Sequence, residues 1–161
     1  MPNWCTNNAT FTHDDPEQIK RIKAAVADKN LFESFVPFDG EWDYFWCIEN
    51  WGTKWDANYA EVLNEDNNSV SLMFDTAWGP PIAFYDKMFE LGFSVRADYH
   101  EPGMCYIGEY SGETGNEQYE YDFTNENWRD SIHNKDVLER LEDEYENWKE
   151  MNEEFEDDTD E

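Results

Sequence analysis

Val70, Leu72 and Phe74 alternate with Ser69, Ser71 and Asp75, the period of two that a strand shows when one face is buried. This predicts a strand at 69–76, joined through the turn Asn64-Glu-Asp-Asn-Asn68 to another at 57–63. Residues 3–12 alternate more loosely through Trp4, Asn8, Thr10 and Phe11 and suit a first strand. The period then changes. Ile19, Ile22 and Val26, with Ala25, form a helical stripe behind Asp14 or Asp15 as cap and Pro16-Glu17 in the first turn, ending near Asn30. A second helix opens at Pro80-Pro81, carries Ala83, Phe84, Lys87, Met88 and Leu91 at helical spacing, and stops at Gly92. Strands are predicted at 93–99, 106–110 and 118–123, the last two around Ser111-Gly-Glu-Thr-Gly115. Finally, Val137, Leu141, Tyr145, Trp148, Met151 or Asn152, and Phe155 recur at steps of three and four, giving a long helix over 134–156 with one apolar face.

The order strand, helix, strand, strand, helix, strand is the split βαβ pattern. The expected class is α+β: a ferredoxin-like antiparallel sheet with helices on one face, extra C-terminal strands and a long acidic C-terminal helix. Residues 1–123 make the ferredoxin-like domain, 124–156 a linker and the acidic amphipathic helix, and 157–161 a disordered acidic end.

Two stretches fit neither period. Residues 31–44 are aromatic and irregular, through Phe32, Phe35, Pro37 and Phe38, and are expected to be a packed connection. In 46–57, Trp46, Trp51 and Trp55 stand among a glycine, a lysine, acids and an asparagine, which predicts a structured loop. An indole buries a large apolar area and needs a partner for its N–H, so this cluster is either a platform packed on the sheet or a recognition surface.

Together with Met1-Pro-Asn-Trp-Cys-Thr-Asn7, Thr76-Ala-Trp-Gly-Pro-Pro81 and Tyr99-His-Glu-Pro-Gly103, the tryptophan stretch resembles the Api92-like proteins of phages and plasmids over about residues 1 to 123. The resemblance implies a ferredoxin-like domain and a mobile-element origin, and it supplies no mechanism. The last forty residues take no part in it.

Charge narrows the function further. The chain has 39 acids against 11 bases, a formal net charge of −28. The share beyond residue 98 is the larger, 22 acids against 4 bases. Such a surface repels nucleic acid and anionic membranes and attracts basic proteins. Only the first helix has a basic face, through Lys20, Arg21, Lys23 and Lys29, expected to pair weakly with nearby acids. Cys5, Cys47 and Cys105 lie far apart without CxxC spacing, which points to free thiols in a reducing cytoplasm. No run of 18 apolar residues is present, and the N-terminus lacks a signal-peptide pattern.

Candidate chemistry is sparse. His13, His100 and His133 have no metal-ligand spacing with the cysteines, and GxSxG, P-loop, GxGxxG and HExxH patterns are missing. The expectation is a non-enzyme with no cofactor, no metal and no catalytic residue. Carboxylates at i and i+4 on a helix stand about 6 Å apart, close to the phosphate spacing along a strand. Glu139, Glu142, Asp143, Glu146, Glu150, Glu153 and Glu154 present such a row. The expected function is therefore a phage- or plasmid-type accessory protein that inhibits a host defence or other nucleic-acid-handling protein in the host cytoplasm by covering its basic surface. Two alternatives stand beside it: a protein-binding module acting through the loop from Trp46 to Trp55, with Trp51, Lys54 and Trp55 as contacts, and a small enzyme of unknown class. The apolar stripe of the last helix either packs on its own chain or pairs with a second copy as a homodimer.

Overall fold

The computed structural model describes residues 2 to 159, with side chains described to residue 154. The described residues form one six-stranded sheet and five α-helices, in two compact units, 1–118 and 119–161.

The first unit opens with strand β1 (Trp4–Thr12), in which Cys5, Asn7, Ala9 and Phe11 point to the buried face. Asp15 then caps helix α1 (Pro16–Ala27), its carboxylate accepting from Glu17 N at 3.0 Å, with Pro16 in the first turn where its missing N–H costs nothing. Ile19 and Ile22 face inward. Two further helices follow, α2 (Leu31–Phe35) and α3 (Tyr44–Asn50), before strands β2 (Asn58–Glu65) and β3 (Ser69–Ala77). Helix α4 (Ile82–Glu90) and strands β4 (Ser94–Glu101), β5 (Tyr106–Ser111) and β6 (Gly115–Glu120) complete the sheet, with β6 reaching two residues into the second unit.

The sheet order is β2-β3-β1-β4-β5-β6, and the pairs β2·β3, β3·β1, β1·β4 and β4·β5 are antiparallel. Register places Phe11 between Val70 and Val95, and Ala9 between Leu72 and Ala97. These residues share one core cluster with Ile19, Ile22, Phe32, Cys47, Phe84 and Met88, so α1 to α4 all contribute to the same face of the sheet. Aromatic rings fill its centre: Phe32 meets Phe84 at 4.4 Å and Phe74 at 5.8 Å between centroids. The opposite face is polar. There Thr6 bonds Asp75, Asn8 bonds Asp98 and Thr10 bonds Ser71 across the strands.

Three expectations are corrected. Residues 44–50, the start of the stretch expected to be a loop, form helix α3. Asp43 caps it by accepting from Trp46 N at 2.8 Å, and at two turns with Cys47 as its one fully buried side chain it is too short to register a 3.6 period. The connection 31–44 contains α2, held by Asp56, which accepts from Phe32 N and Glu33 N. Strand β6 starts at Gly115 and ends at Glu120. The turn closes earlier than residue 118 because Gly115, at φ +86°, takes a left-handed conformation open to glycine. Its residues are polar and mostly exposed, so no alternation marks it.

In the second unit a short 3₁₀ turn (Trp128–Ser131) precedes helix α5 (Lys135–Thr159). Asn134 accepts from Asp136 N and Val137 N at its start. Tyr121 and Phe123, expected in a strand, instead join an aromatic stack: Phe123 lies 5.0 Å from Trp128, 5.4 Å from Tyr145 and 5.9 Å from Trp148. The helix continues past residue 156 to Thr159, through part of the expected disordered end 157–161; residues 160 and 161 lie outside the described residues.

Candidate functional site

The four motif segments of the first unit meet at one end of the sheet. Trp4 pairs with Ala77 and Cys5 with Thr76 at the β1/β3 edge of that end. Asn3 O accepts from Trp78 N at 2.8 Å, and Thr53 Oγ1 donates to Ala77 O at 2.9 Å. Phe84 N donates to Trp51 O, which ties the tryptophan segment to α4. Gly52, at φ +86°, lets that contact close: a Cβ there would stand 3.0 Å from Ile82 N. Gly103 does the same for the 99–103 motif, where a Cβ would meet Glu101 Oε1 at 2.8 Å and Asn3 at 3.0 Å. Trp78 itself sits in the left-handed region at φ 71°, its carbonyl accepting from Tyr106 OH.

Beneath this junction lies a buried polar cluster of Cys5, Asn7, Thr53, Thr76 and Glu101. Glu101 accepts from Gly103 N at 2.7 Å and Met104 N at 2.8 Å, so its carboxylate is held by a backbone turn. Burial, then the nearby Glu101 charge, pushes the Cys5 thiol up to about 12. Burial also pushes up Cys47. Both sulfurs are therefore held as neutral thiols at neutral pH, the unreactive form. Burial raises Tyr99 to about 12 as well, against the hydrogen bond to Asn116 that lowers it. Among the described residues no three His, Cys, Asp or Glu side chains group as metal ligands, and no helix is long and apolar enough to cross a membrane.

The tryptophan segment divides. Trp51 is 2% exposed, donates Nε1 to Val36 O at 2.8 Å and packs on Phe32, Phe38 and Trp46. It is a core residue. Trp55 is half-exposed, with the Lys54 ammonium 4.0 Å above its ring and Trp4 at 6.2 Å. Sequence reasoning missed the neighbours Trp42, Tyr44, Phe45 and Ile48, all exposed. The available signal was the tight series of aromatics in 42–46, interrupted only by Asp43, which no single apolar face of a short helix can bury.

On α5 the acidic row is gathered. At 3.6 residues per turn, Glu139, Glu142, Asp143, Glu146, Glu150, Glu153 and Glu154 occupy an arc of about 120°, facing away from Val137, Leu141 and Trp148. All but Glu142 are exposed. Glu142 is half-buried and takes a two-point ion pair from Arg129, which holds its carboxyl below the usual range. Arg129 also lies over the Trp128 and Tyr145 rings, so it anchors the 3₁₀ turn to the helix. The middle of the apolar stripe, Tyr145 and Trp148, is occupied by Phe123 and Trp128 of the same chain, while Met151 is exposed.

No family model matches the chain, and no curated protein does. Among solved structures, the crystal structure of a protein api92 from Yersinia pseudotuberculosis matches with a TM-score of 0.38 and 20% identity, over 49% of this chain and 30% of that one. The chain is structurally similar to an Api92 protein. It spans less than a third of that protein's length.

Three of the four cations expected on the basic face make contacts within the chain: Lys20 pairs with Glu17 at 3.0 Å, Lys23 with Glu65 at 2.9 Å, and Arg21 donates to Ser34 O while lying over the Phe35 ring; Lys29 lies beyond the end of α1.

Proposed function

We propose that this protein is an acidic accessory protein of a phage or plasmid that occupies the basic surface of a host nucleic-acid-handling or defence protein, with α5 in the place of a phosphate backbone. One observation carries this reading: seven α5 carboxylates between Glu139 and Glu154 share an arc of about 120° on a 25-residue helix. Charges about 6 Å apart along a rigid rod offer a cationic groove the periodicity that it uses on nucleic acid. Apart from the Arg129–Glu142 pair, the described ion pairs lie elsewhere, which leaves the rest of the row to act outward.

The order β2-β3-β1-β4, with α1 between β1 and β2 and α4 between β3 and β4, supports a ferredoxin-like domain extended by β5 and β6.

The test is capture from host lysate on the immobilised protein, followed by elution with duplex DNA. Mimicry requires that DNA displaces the captured protein, that capture falls steeply with salt, and that a variant with Glu139, Asp143, Glu146 and Glu150 changed to glutamine or asparagine loses it while remaining folded. Capture indifferent to duplex DNA or to those changes would remove the proposal.

A further inference from the structure

Trp42, Tyr44, Phe45, Ile48 and Trp55 hold large apolar side chains in solvent along one short segment of the first unit, Phe45 at 80% exposure. Scattered apolar residues on a surface are ordinary, but a contiguous group on a fixed backbone is characteristic of an interaction site. Contiguity here is direct. Trp42 Nε1 donates to Lys54 O at 2.9 Å, joining the two ends of the segment, and the Tyr44 and Phe45 rings lie 5.4 Å apart. On α3, Ile48 is three residues from Phe45 and four from Tyr44, so the three share a face. The buried Cys47 and Trp51 secure the helix from beneath.

The rim decides the partner. Asp39, Glu41, Asp43 and Glu49, from the same segment as Trp42, Tyr44, Phe45 and Ile48, are exposed, and from residue 30 to residue 53 the chain contains no lysine or arginine. An aromatic surface within a negative field selects against anionic membranes, nucleic acid and a second copy of this −28 chain. It favours a cation that also brings apolar area. Lys54, 4.0 Å above the Trp55 ring, shows the kind of contact this surface accepts.

We propose that the face formed by Trp42, Tyr44, Phe45, Ile48 and Trp55 docks a basic amphipathic helix of a partner protein. The partner's apolar side chains cover Phe45 and Ile48. Its arginines or lysines lie over the tryptophan rings and pair with Asp43 and Glu49. This surface is independent of the α5 row and stands or falls without it.

The probe is a synthetic amphipathic helix of lysine, arginine and leucine, about 18 residues long, titrated into the full chain by calorimetry at about 0.15 M salt. The control peptide replaces every leucine with serine. Saturable binding of the leucine peptide is expected, weakened at least about fivefold by the double change Phe45→Ala and Ile48→Ala, with circular dichroism unaltered. Neutralising the α5 row is expected to weaken it less than the Phe45/Ile48 change does. A loss below fivefold in the Phe45/Ile48 variant, equal binding of the serine peptide, or a larger loss from the α5 variant overturns the proposal, because each marks general attraction of cations to an acidic chain.

Discussion

Asn7 Nδ2 donates to Thr76 Oγ1 at 2.9 Å, and that hydroxyl donates onward to Gly79 O at 2.6 Å. The pair joins the N-terminal motif to the Trp78 turn through groups that water does not reach, since both residues are fully buried. Asn7 also serves Cys5 O at 3.1 Å.

Removing the amide leaves those acceptors without a donor in the interior. Asn7→Ala is expected to cost about 2 kcal/mol, and Thr76→Val a similar amount through the loss of the relaying hydroxyl. Thr76→Ser, which keeps the oxygen, is expected to cost less than half as much. Urea midpoints of the three variants check the order.

Trp51 and Phe45 lie six positions apart in the sequence and have opposite roles. Trp51→Ala empties a site walled by Phe32, Phe38 and Trp46 and is expected to cost about 3–5 kcal/mol. Phe45→Ala, at 80% exposure, is expected within about 0.5 kcal/mol of the parent. Equal losses in chemical denaturation would contradict this assignment.

Alkaline pH is expected to weaken the first unit. Cys5 and Tyr99 keep their protons to about pH 12 in the folded chain, and unfolding returns them to ordinary values near 8.5 and 10. Between the unfolded and folded values the unfolded state binds fewer protons, so stability is full below about pH 8.5 and declines as pH rises toward 12. Cys5→Ala is expected to flatten the first part of that decline in urea midpoints taken from pH 7 to 10. Unchanged dependence in the variant would assign it to other groups.

Salt is expected to stabilise the protein. With 39 acids and 11 bases, repulsion outweighs the exposed pairs Lys20–Glu17 and Lys23–Glu65, so screening removes more cost than benefit. Raising sodium chloride from about 0.01 M to 1 M, which shortens the screening length from about 30 Å to 3 Å, is expected to raise Tm. A falling Tm would place the balance with the ion pairs.

Elements governed by near neighbours were legible in the chain. Val70, Leu72 and Phe74 announce β3, and Asp15 with Pro16 announces the start of α1, because each signal lies within a few residues. The α5 row was legible for the same reason: helical spacing alone puts its carboxylates on one side. Helix α3 was not, since two turns with one fully buried side chain hold too little periodicity.

Sequence alone determined the α+β composition, strands β1 to β5 with helices α1, α4 and α5 in their order, the −28 charge and the acidic row of α5, all properties of local spacing or of counting. Tertiary structure decided which tryptophan is core and which is surface. Trp51 is buried because Phe32, Phe38 and Trp46 converge on it and Val36 offers a carbonyl to its N–H. Trp42 and Trp55 lie outside that core cluster and stay in solvent, a division set by contacts between distant segments that no local pattern compares.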